Sequence, residues 1–439
     1  MSKNNFSVFI LQDGTVRTVG KNNCGQCGTG NTNTPILSIY KIPNLYNVKQ
    51  CSLGVEHTVF LLEDGTVRTV GANNNGQCGT GSTSTAQTSL YKIPNLDNVK
   101  QVACNFNTTL FLMKDGTVKA VGENNYGQCG TGDTGVQTSL YTIQGLNNVR
   151  EIACGPYHTV FILKDGTIRT LGYNINGQCL TGNTTSPQLT LYNPGLNNVA
   201  HAACGLNHTV LLFNDGTIGT AGQNTYGQCA TGNTNTRILT LYKPTITNVK
   251  QISCGHEHTA LLLEDGTVRL IGRNNCSQIG NGSTAEATTS FYKPNLTNID
   301  QVICGSYYTV FLMKDGTVKT VGSNTNGQTG NGNTHHPVKS IYTIPNLKIK
   351  TLWDLEETVK FLIKQYSSYY TINPDYYDLE GDNFIPLELS NGTNPNMNDI
   401  INFGFTNITD LINDMTINGN TFKPINKLFS KFEIKKYKY

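Results

Sequence analysis

Gly76-Gln77-Cys78-Gly79-Thr80-Gly81 decides the fold, because the same few residues return along the whole chain. Gly25-Gln26-Cys27-Gly28-Thr29-Gly30 precedes it, and Gly127-Gln128-Cys129-Gly130-Thr131-Gly132, Gly177-Gln178-Cys179-Leu180-Thr181-Gly182 and Gly227-Gln228-Cys229-Ala230-Thr231-Gly232 follow. Ser277-Gln278-Ile279-Gly280-Asn281-Gly282 and Gly327-Gln328-Thr329-Gly330-Asn331-Gly332 end the series, making seven copies at a period of 50 to 51 residues. A period in that range indicates a propeller or a solenoid. A second marker keeps the same period: Asp-Gly-Thr begins at Asp13, Asp64, Asp115, Asp165, Asp215, Asp265 and Asp315. Each copy lies between short apolar runs, such as Val59-Phe60-Leu61-Leu62 and Val67-Arg68-Thr69-Val70. Asp-Gly between two such runs predicts an antiparallel hairpin, with a type I′ turn that takes positive φ at both central residues.

Residues 98–147 form one complete unit with strand-like runs at 98–104, 109–113, 118–121 and 138–143. Four short antiparallel strands per repeat make a propeller blade. The expected fold is therefore all-β, a seven-bladed propeller of four-stranded antiparallel blades.

The repeat resembles the RCC1 (regulator of chromosome condensation) family, whose pattern is a Cys-Gly-x-x-His-Thr segment, an Asp-Gly turn and an Asn-x-x-Gly-Gln-Leu-Gly-x-Gly loop. Cys154-Gly155-Pro156-Tyr157-His158-Thr159, Asp165-Gly166 and Asn174-Ile175-Asn176-Gly177-Gln178-Cys179-Leu180-Thr181-Gly182 follow in that order. Two positions depart from the pattern. The Leu after Gly-Gln is mostly Cys, and the aromatic before the glycine of the third strand is Val70, Val121 or Leu171, so smaller blade cores are expected.

The first repeat begins at its second strand, Phe6-Ser7-Val8-Phe9-Ile10-Leu11. Residues 346–364 are expected to complete the blade begun by 6–20 and so close the ring, giving a propeller over 1–365. From Tyr366 the period is lost. Residues 366–439 read as a C-terminal extension or docking module of unassigned fold, ending in the basic run Lys423, Lys427, Lys431, Lys435, Lys436 and Lys438.

Charged residues are 14% of the 439, with a formal net charge of +3, which gives no electrostatic basis for wrapping nucleic acid. No apolar run approaches a membrane span. The chain enters its first strand at once from Met1, so no signal peptide and a cytoplasmic location are expected; a virion-associated protein, or one released without a signal peptide, is the alternative. The thirteen cysteines follow the repeat, with Cys104, Cys154, Cys204, Cys254 and Cys304 in one register and Cys27, Cys78, Cys129, Cys179 and Cys229 in another. They read as buried packing residues in a reducing compartment, and Cys24-x-x-Cys27 alone does not make a metal site.

His57, His158, His208 and His258 share one repeat position, with Thr108 and Tyr308 as equivalents. A catalytic residue is used once, so these histidines are expected to hydrogen-bond the loop after Cys-Gly. The glycine-rich loops lack the lysine and following helix of a P-loop. No Ser/His/Asp, Cys/His or paired-carboxylate set stands out, so no catalytic residue, cofactor or metal is expected and the chain reads as a non-enzyme.

Recognition is expected where copies differ. Between Cys-Gly and His-Thr, or their equivalents, stand Val55-Glu56, Phe106-Asn107, Pro156-Tyr157, Leu206-Asn207, His256-Glu257 and Ser306-Tyr307. The last variable residue of the Asn-x-x-Gly loop is Cys24, Asn75, Tyr126, Asn176, Tyr226, Cys276 or Asn326. In an up-and-down blade both loops leave one face, with the Asp-Gly turns on the other. The candidate partner-binding residues are Glu56, Phe106, Asn107, Tyr126, Tyr157, Asn207, Tyr226, Glu257 and Tyr307. The expected function is a noncatalytic scaffold that recognises a protein or cell-surface partner through this face. The resemblance implies two alternatives, a guanine-nucleotide exchange regulator of a small GTPase and a phage or surface attachment protein. The first is disfavoured because no repeat carries an insertion, and nucleic-acid binding lacks a basic N-terminal tail.

Overall fold

In the computed structural model, which describes residues 2–3, 5–11 and 14–349, the chain forms seven four-stranded antiparallel sheets, with no helix among those residues. They are blade 1 (2–41), blade 2 (48–92), blade 3 (99–142), blade 4 (149–192), blade 5 (199–242), blade 6 (249–292) and blade 7 (299–348). Strands neighbour one another in chain order within every sheet, and the inner strands of successive blades lie side by side. The all-β seven-bladed propeller read from the repeat is the fold. Blade 4 shows the plan: Val149–Cys154 inside, His158–Leu163 second, Ile168–Gly172 third and Gln188–Tyr192 at the rim.

The second strand is buried on both faces because it lies between two neighbouring blades. Val160, Phe161 and Ile162 are fully enclosed, whereas the rim strand is half-exposed. Successive side chains of a strand point to opposite faces. Accordingly, Phe161 joins Leu110, Leu112 and Cys129 of blade 3, and Val160 and Ile162 join Val199 and Leu211 of blade 5. Among the described residues the hydrophobic core is thus divided into seven clusters, each shared by two adjacent blades. The seventh unites Phe9 and Val19 of blade 1 with Val310 and Val318 of blade 7, so the ring is closed.

A polar relay runs through these interfaces. His158 Nε2 lies 2.8 Å from Thr209 Oγ1 of the next blade, and Thr209 donates its hydroxyl proton to the Gln178 carbonyl at 2.8 Å. A hydroxyl has one proton, so the histidine must donate to it and carries its hydrogen on Nε2. His57 with Thr109, His208 with Thr259 and His258 with Thr309 repeat the arrangement. The bond expected to hold the histidine's own loop instead crosses to the next blade, because the ring points across the interface. At the seam, Tyr308 donates to the Phe6 carbonyl at 2.7 Å, and Ser7 donates to the Gln328 carbonyl at 2.9 Å.

The glycine before each of these rings exists to admit it. A Cβ on Gly205 would stand 2.0 Å from the His208 ring, and one on Gly305 would stand 2.1 Å from Tyr308. Blade 3 solves the problem differently. Thr108 replaces the ring, Asn105 replaces the glycine, and the Asn105 amide reaches Thr159 at 3.4 Å.

The Asp-Gly hairpins differ from the expected type I′ turn. Only the glycine takes positive φ, 91° at Gly116, with Gly116 N bonded to Met113 O and Met113 N to Thr117 O. This is a three-residue loop, a type I turn followed by a left-handed glycine. Asp115 settles it by accepting from the Thr117 amide and hydroxyl at 2.9 and 2.7 Å, which also holds its carboxyl below the usual range.

The proposed closing strand, 346–364, falls mainly on residues outside those described. Residues up to Lys348 extend the rim strand of blade 7, and the inner position of blade 1 carries Ser2–Lys3 paired with Phe6 and Ser7. Ile349 N bonds Gly316 O at 3.0 Å, the contact by which Val149 and Val199 enter their inner strands from Gly116 and Gly166. The expected extension, 366–439, also lies outside the described residues.

Two outcomes follow for the relay. Gly205→Ala should cost about 1–3 kcal/mol by crowding His208, while Gly205→Asn with His208→Thr, which copies blade 3, should be more stable than the summed single variants by about 1 kcal/mol or more. Chemical denaturation of the four chains measures this, and additivity would refute the coupling. Burial also holds His208 and His258 down at about 3 against an ordinary 6.5. Their stabilising contribution is therefore complete above pH 6.5 and declines as pH falls toward 3. The melting temperature should drop through that window, and less steeply in His208→Gln.

Candidate protein-binding face

The loops after the inner strands are tied to one another around the axis. Val55 N bonds Phe106 O at 2.9 Å and Phe106 N bonds Pro156 O at 3.2 Å; on the far side Leu206 N bonds His256 O at 2.8 Å and His256 N bonds Ser306 O at 3.0 Å. The loops after the third strands are built around a buried asparagine. Asn174 Oδ1 accepts from Cys179 N, and its amide donates to Thr181 Oγ1 and to the carbonyls of Asn183 and Thr185. The relay hydroxyl of the following blade then binds this loop through the Gln178 carbonyl. Both loop sets are therefore anchored by repeated residues, and the residues that differ stand between the anchors.

The ring-bearing residues among them meet in a continuous band. Tyr126 packs edge-on against Tyr157 with ring centroids 5.1 Å apart, Tyr157 against Phe106 at 4.9 Å, and Phe106 against His256 at 5.6 Å. The last contact joins blade 3 to blade 6. His256 continues to Tyr307 at 5.1 Å, and the Arg273 guanidinium lies over Tyr307 at 5.7 Å and over Tyr226 at 4.8 Å. Beneath the band the loops leave a pocket of about 20 Å³ on the axis, lined by Cys204, Cys254, Cys304 and His256 among others, room for about one water.

The polar candidates are engaged with neighbours. Glu56 accepts from Lys21 at 2.7 Å and from Asn23 at 3.0 Å; burial pushes its carboxyl up, but these bonds outweigh it and leave the group below its ordinary value. Glu257 is buried and pairs with Arg273 at 2.6 Å. Asn107 donates to Glu123 at 2.8 Å, and Asn207 to Gln223 at 3.0 Å. The aromatic candidates are half-buried: Phe106, Tyr126, Tyr157, Tyr226 and Tyr307 lean on each other or on Arg273.

Sequence reasoning passed over a third variable position. Between the glycine late in each third strand and the loop asparagine stand Lys21, Ala72, Glu123, Tyr173, Gln223, Arg273 and Ser323, seven different residues in one invariant frame. His158 pairs opposite Gly172, so the next rung sets Tyr173 beside Tyr157, with a 2.9 Å backbone bond between them. This position supplies Arg273, Lys21 and Glu123, the partners of the residues singled out from the sequence. Its diversity between two constant residues was the signal. Among the described residues, no group of three or more His, Cys, Asp or Glu is placed to hold a metal ion, and no helix is long and apolar enough to cross a membrane.

The RCC1-like domain matches residues 92–361, and the RCC1 repeat matches 2–26 and 48–77. The chain belongs to the RCC1-like domain family. Among curated relatives of this RCC1-like chain is the mouse X-linked retinitis pigmentosa GTPase regulator, 33% identical over 117 residues, which are 26% of this chain and 12% of the relative. The bovine secretion-regulating guanine nucleotide exchange factor is 30% identical over 118 residues, 25% of each chain. Among solved structures, Prp20p of Saccharomyces cerevisiae superposes with a TM-score of 0.68 at 20% identity, over 78% of this chain and 88% of that one. Human WBSCR16 gives 0.68 at 20% identity over 75% and 93%. The structural likenesses show the fold, and the RCC1-like chain covers a quarter or less of the two curated relatives.

Removing one partner of the enclosed ion pair should expose how the face is held. Arg273→Met is expected to cost about 2–4 kcal/mol by leaving the Glu257 carboxylate uncompensated, and Glu257→Gln in the same chain should restore part of it. Equal stability of Arg273→Met and the parent chain in urea would show that the pair contributes nothing.

Proposed function

We propose that this RCC1-like propeller is a binding module that holds a protein partner on the face carrying the aromatic band, with no chemistry of its own. One observation carries the reading. On that face the anchoring residues repeat from blade to blade, while the side chains they present differ at three positions per blade, and the ring-bearing ones of blades 3 to 7 come together with Arg273 in a single band. A scaffold alone needs no such divergence. Aromatic and arginine side chains that are rigidly held also dominate the energetics of protein interfaces.

A small GTPase is the second partner class. The mouse relative is named a GTPase regulator and the bovine one a guanine nucleotide exchange factor, and Prp20p is described with its binding to Gsp1p and histones. The even repeat length argues against exchange by an inserted wedge.

The chain immobilised and exposed to an extract of its source cells should retain a specific protein, identified by mass spectrometry. Tyr157→Ala with Tyr307→Ala should lose that protein while melting within a few degrees of the parent. Retention by the double variant would move the site off this face. A retained GTPase whose nucleotide exchanges faster in the presence of the chain would replace the purely binding reading with the second one.

A further inference from the structure

The band contains one arginine already seated among rings. The Arg273 guanidinium lies 4.8 Å from the Tyr226 ring centre and 5.7 Å from that of Tyr307, and one of its nitrogens bonds Glu257 at 2.6 Å. Stacking on aromatic faces while the edge of the fork reaches a carboxylate is the geometry that a guanidinium satisfies and an ammonium does not. At this place the chain supplies the cation from its own third strand.

Two blades earlier the same register positions are filled without a cation. Tyr126 is the repeat equivalent of Tyr226, Tyr157 that of Glu257, and Tyr173 that of Arg273. The three rings are mutually tilted, by 68° between Tyr126 and Tyr157, 59° between Tyr126 and Tyr173, and 69° between Tyr157 and Tyr173, with centroids 4.8 to 6.0 Å apart. The carboxylate here comes from Glu123, at the variable position of blade 3. Glu123 is 9% exposed and is bonded by the Asn107 and Asn125 amides at 2.8 and 2.9 Å, both neutral donors. Among the described residues no cation pairs with it, whereas Glu56, Glu151 and Glu257 each have a basic partner. Burial first, then the neighbouring Tyr126, Glu123 and Tyr173, holds the Tyr157 phenol above its ordinary value. A nearly enclosed carboxylate, held by the chain neighbours of Phe106 and Tyr126, is left without the countercharge that its counterpart receives from Arg273.

We propose that the Tyr126, Tyr157 and Tyr173 cluster, with Glu123, receives an arginine side chain of the protein partner. The inference rests on the protein-binding reading above and names the chemistry of what binds. The partner's guanidinium lies against the tyrosine rings and directs its nitrogens to Glu123, as Arg273 does toward Glu257.

The test uses the full chain and a fluorescein-labelled peptide of alternating arginine and glycine, followed by anisotropy at low salt, with the glutamate–glycine peptide as control. Saturable binding of the arginine peptide alone is expected. Tyr157→Leu and Glu123→Gln should each weaken it by about tenfold, whereas Tyr157→Phe, which keeps the ring, should stay within about twofold. Melting curves of all variants establish that each is folded. Unchanged affinity in both Tyr157→Leu and Glu123→Gln, equal binding of the glutamate peptide, or no saturation by the parent chain would overturn the proposal. Loss of partner capture in the Tyr157→Ala, Tyr307→Ala chain without arginine-peptide binding by the parent removes this inference and leaves the protein-binding reading standing. Arginine-peptide binding through these residues with capture unchanged in that chain does the reverse.

Discussion

Blades 2, 4, 5 and 6 each meet the next blade through an enclosed threonine hydroxyl that is satisfied twice, by a histidine and by a loop carbonyl. Thr209 accepts from His158 and donates to the Gln178 carbonyl, and both partners belong to the preceding blade. The apolar clusters on either side supply most of the cohesion, but apolar burial has no direction and would tolerate a range of blade angles. The hydroxyl does not, because a buried polar group that loses its partner costs about 1–3 kcal/mol. One atom therefore fixes how the second strand and the glycine-rich loop of one blade sit on the next. At the seam Ser7 stands in the threonine position and donates to the Gln328 carbonyl, while Tyr308 stands in that of the histidine and donates to the Phe6 carbonyl.

This constraint also holds in place the loops that carry the aromatic band. The loop carbonyl gripped by the relay belongs to the same loop that displays Asn176 or Tyr226, so the display is fixed by a bond that recurs at six of the seven loops. Rigid presentation reduces the ordering cost of binding. The variable side chains then complete one another's packing: Arg273 between Tyr226 and Tyr307, Lys21 on Glu56, and Asn107 on Glu123. The cysteines that follow Gly-Gln in the loops take no part in this display. Cys129 and Cys179 are enclosed, with their thiols pushed far above the ordinary value by burial, and they serve as small packing groups.

Periodic information was legible in the sequence and pairwise information was not. The Gly-Gln-Cys-Gly-x-Gly copies and the Asp-Gly turns set the blade number, the strand order and the position of the variable loops. The turn geometry was misread because the pair Asp115-Gly116 alone does not reveal the third loop residue, Lys114, or the bonds from Thr117 to Asp115. The role of His158 was assigned to the right class of interaction but to the wrong blade, since its partner lies 51 residues away across an interface. Tyr173 and Arg273 were overlooked because their neighbourhood depends on strand register, which places them beside Tyr157 and Glu257. Glu123 and Lys21 follow the same logic.

The contact between Phe106 and His256 links blades that are three apart in the chain. A propeller whose loops stop short of the centre presents a rim around a hole, and a guest can thread it with an extended segment. Here two side chains span that opening, so the surface is a floor rather than a collar. A segment approaching along the axis would meet these rings first.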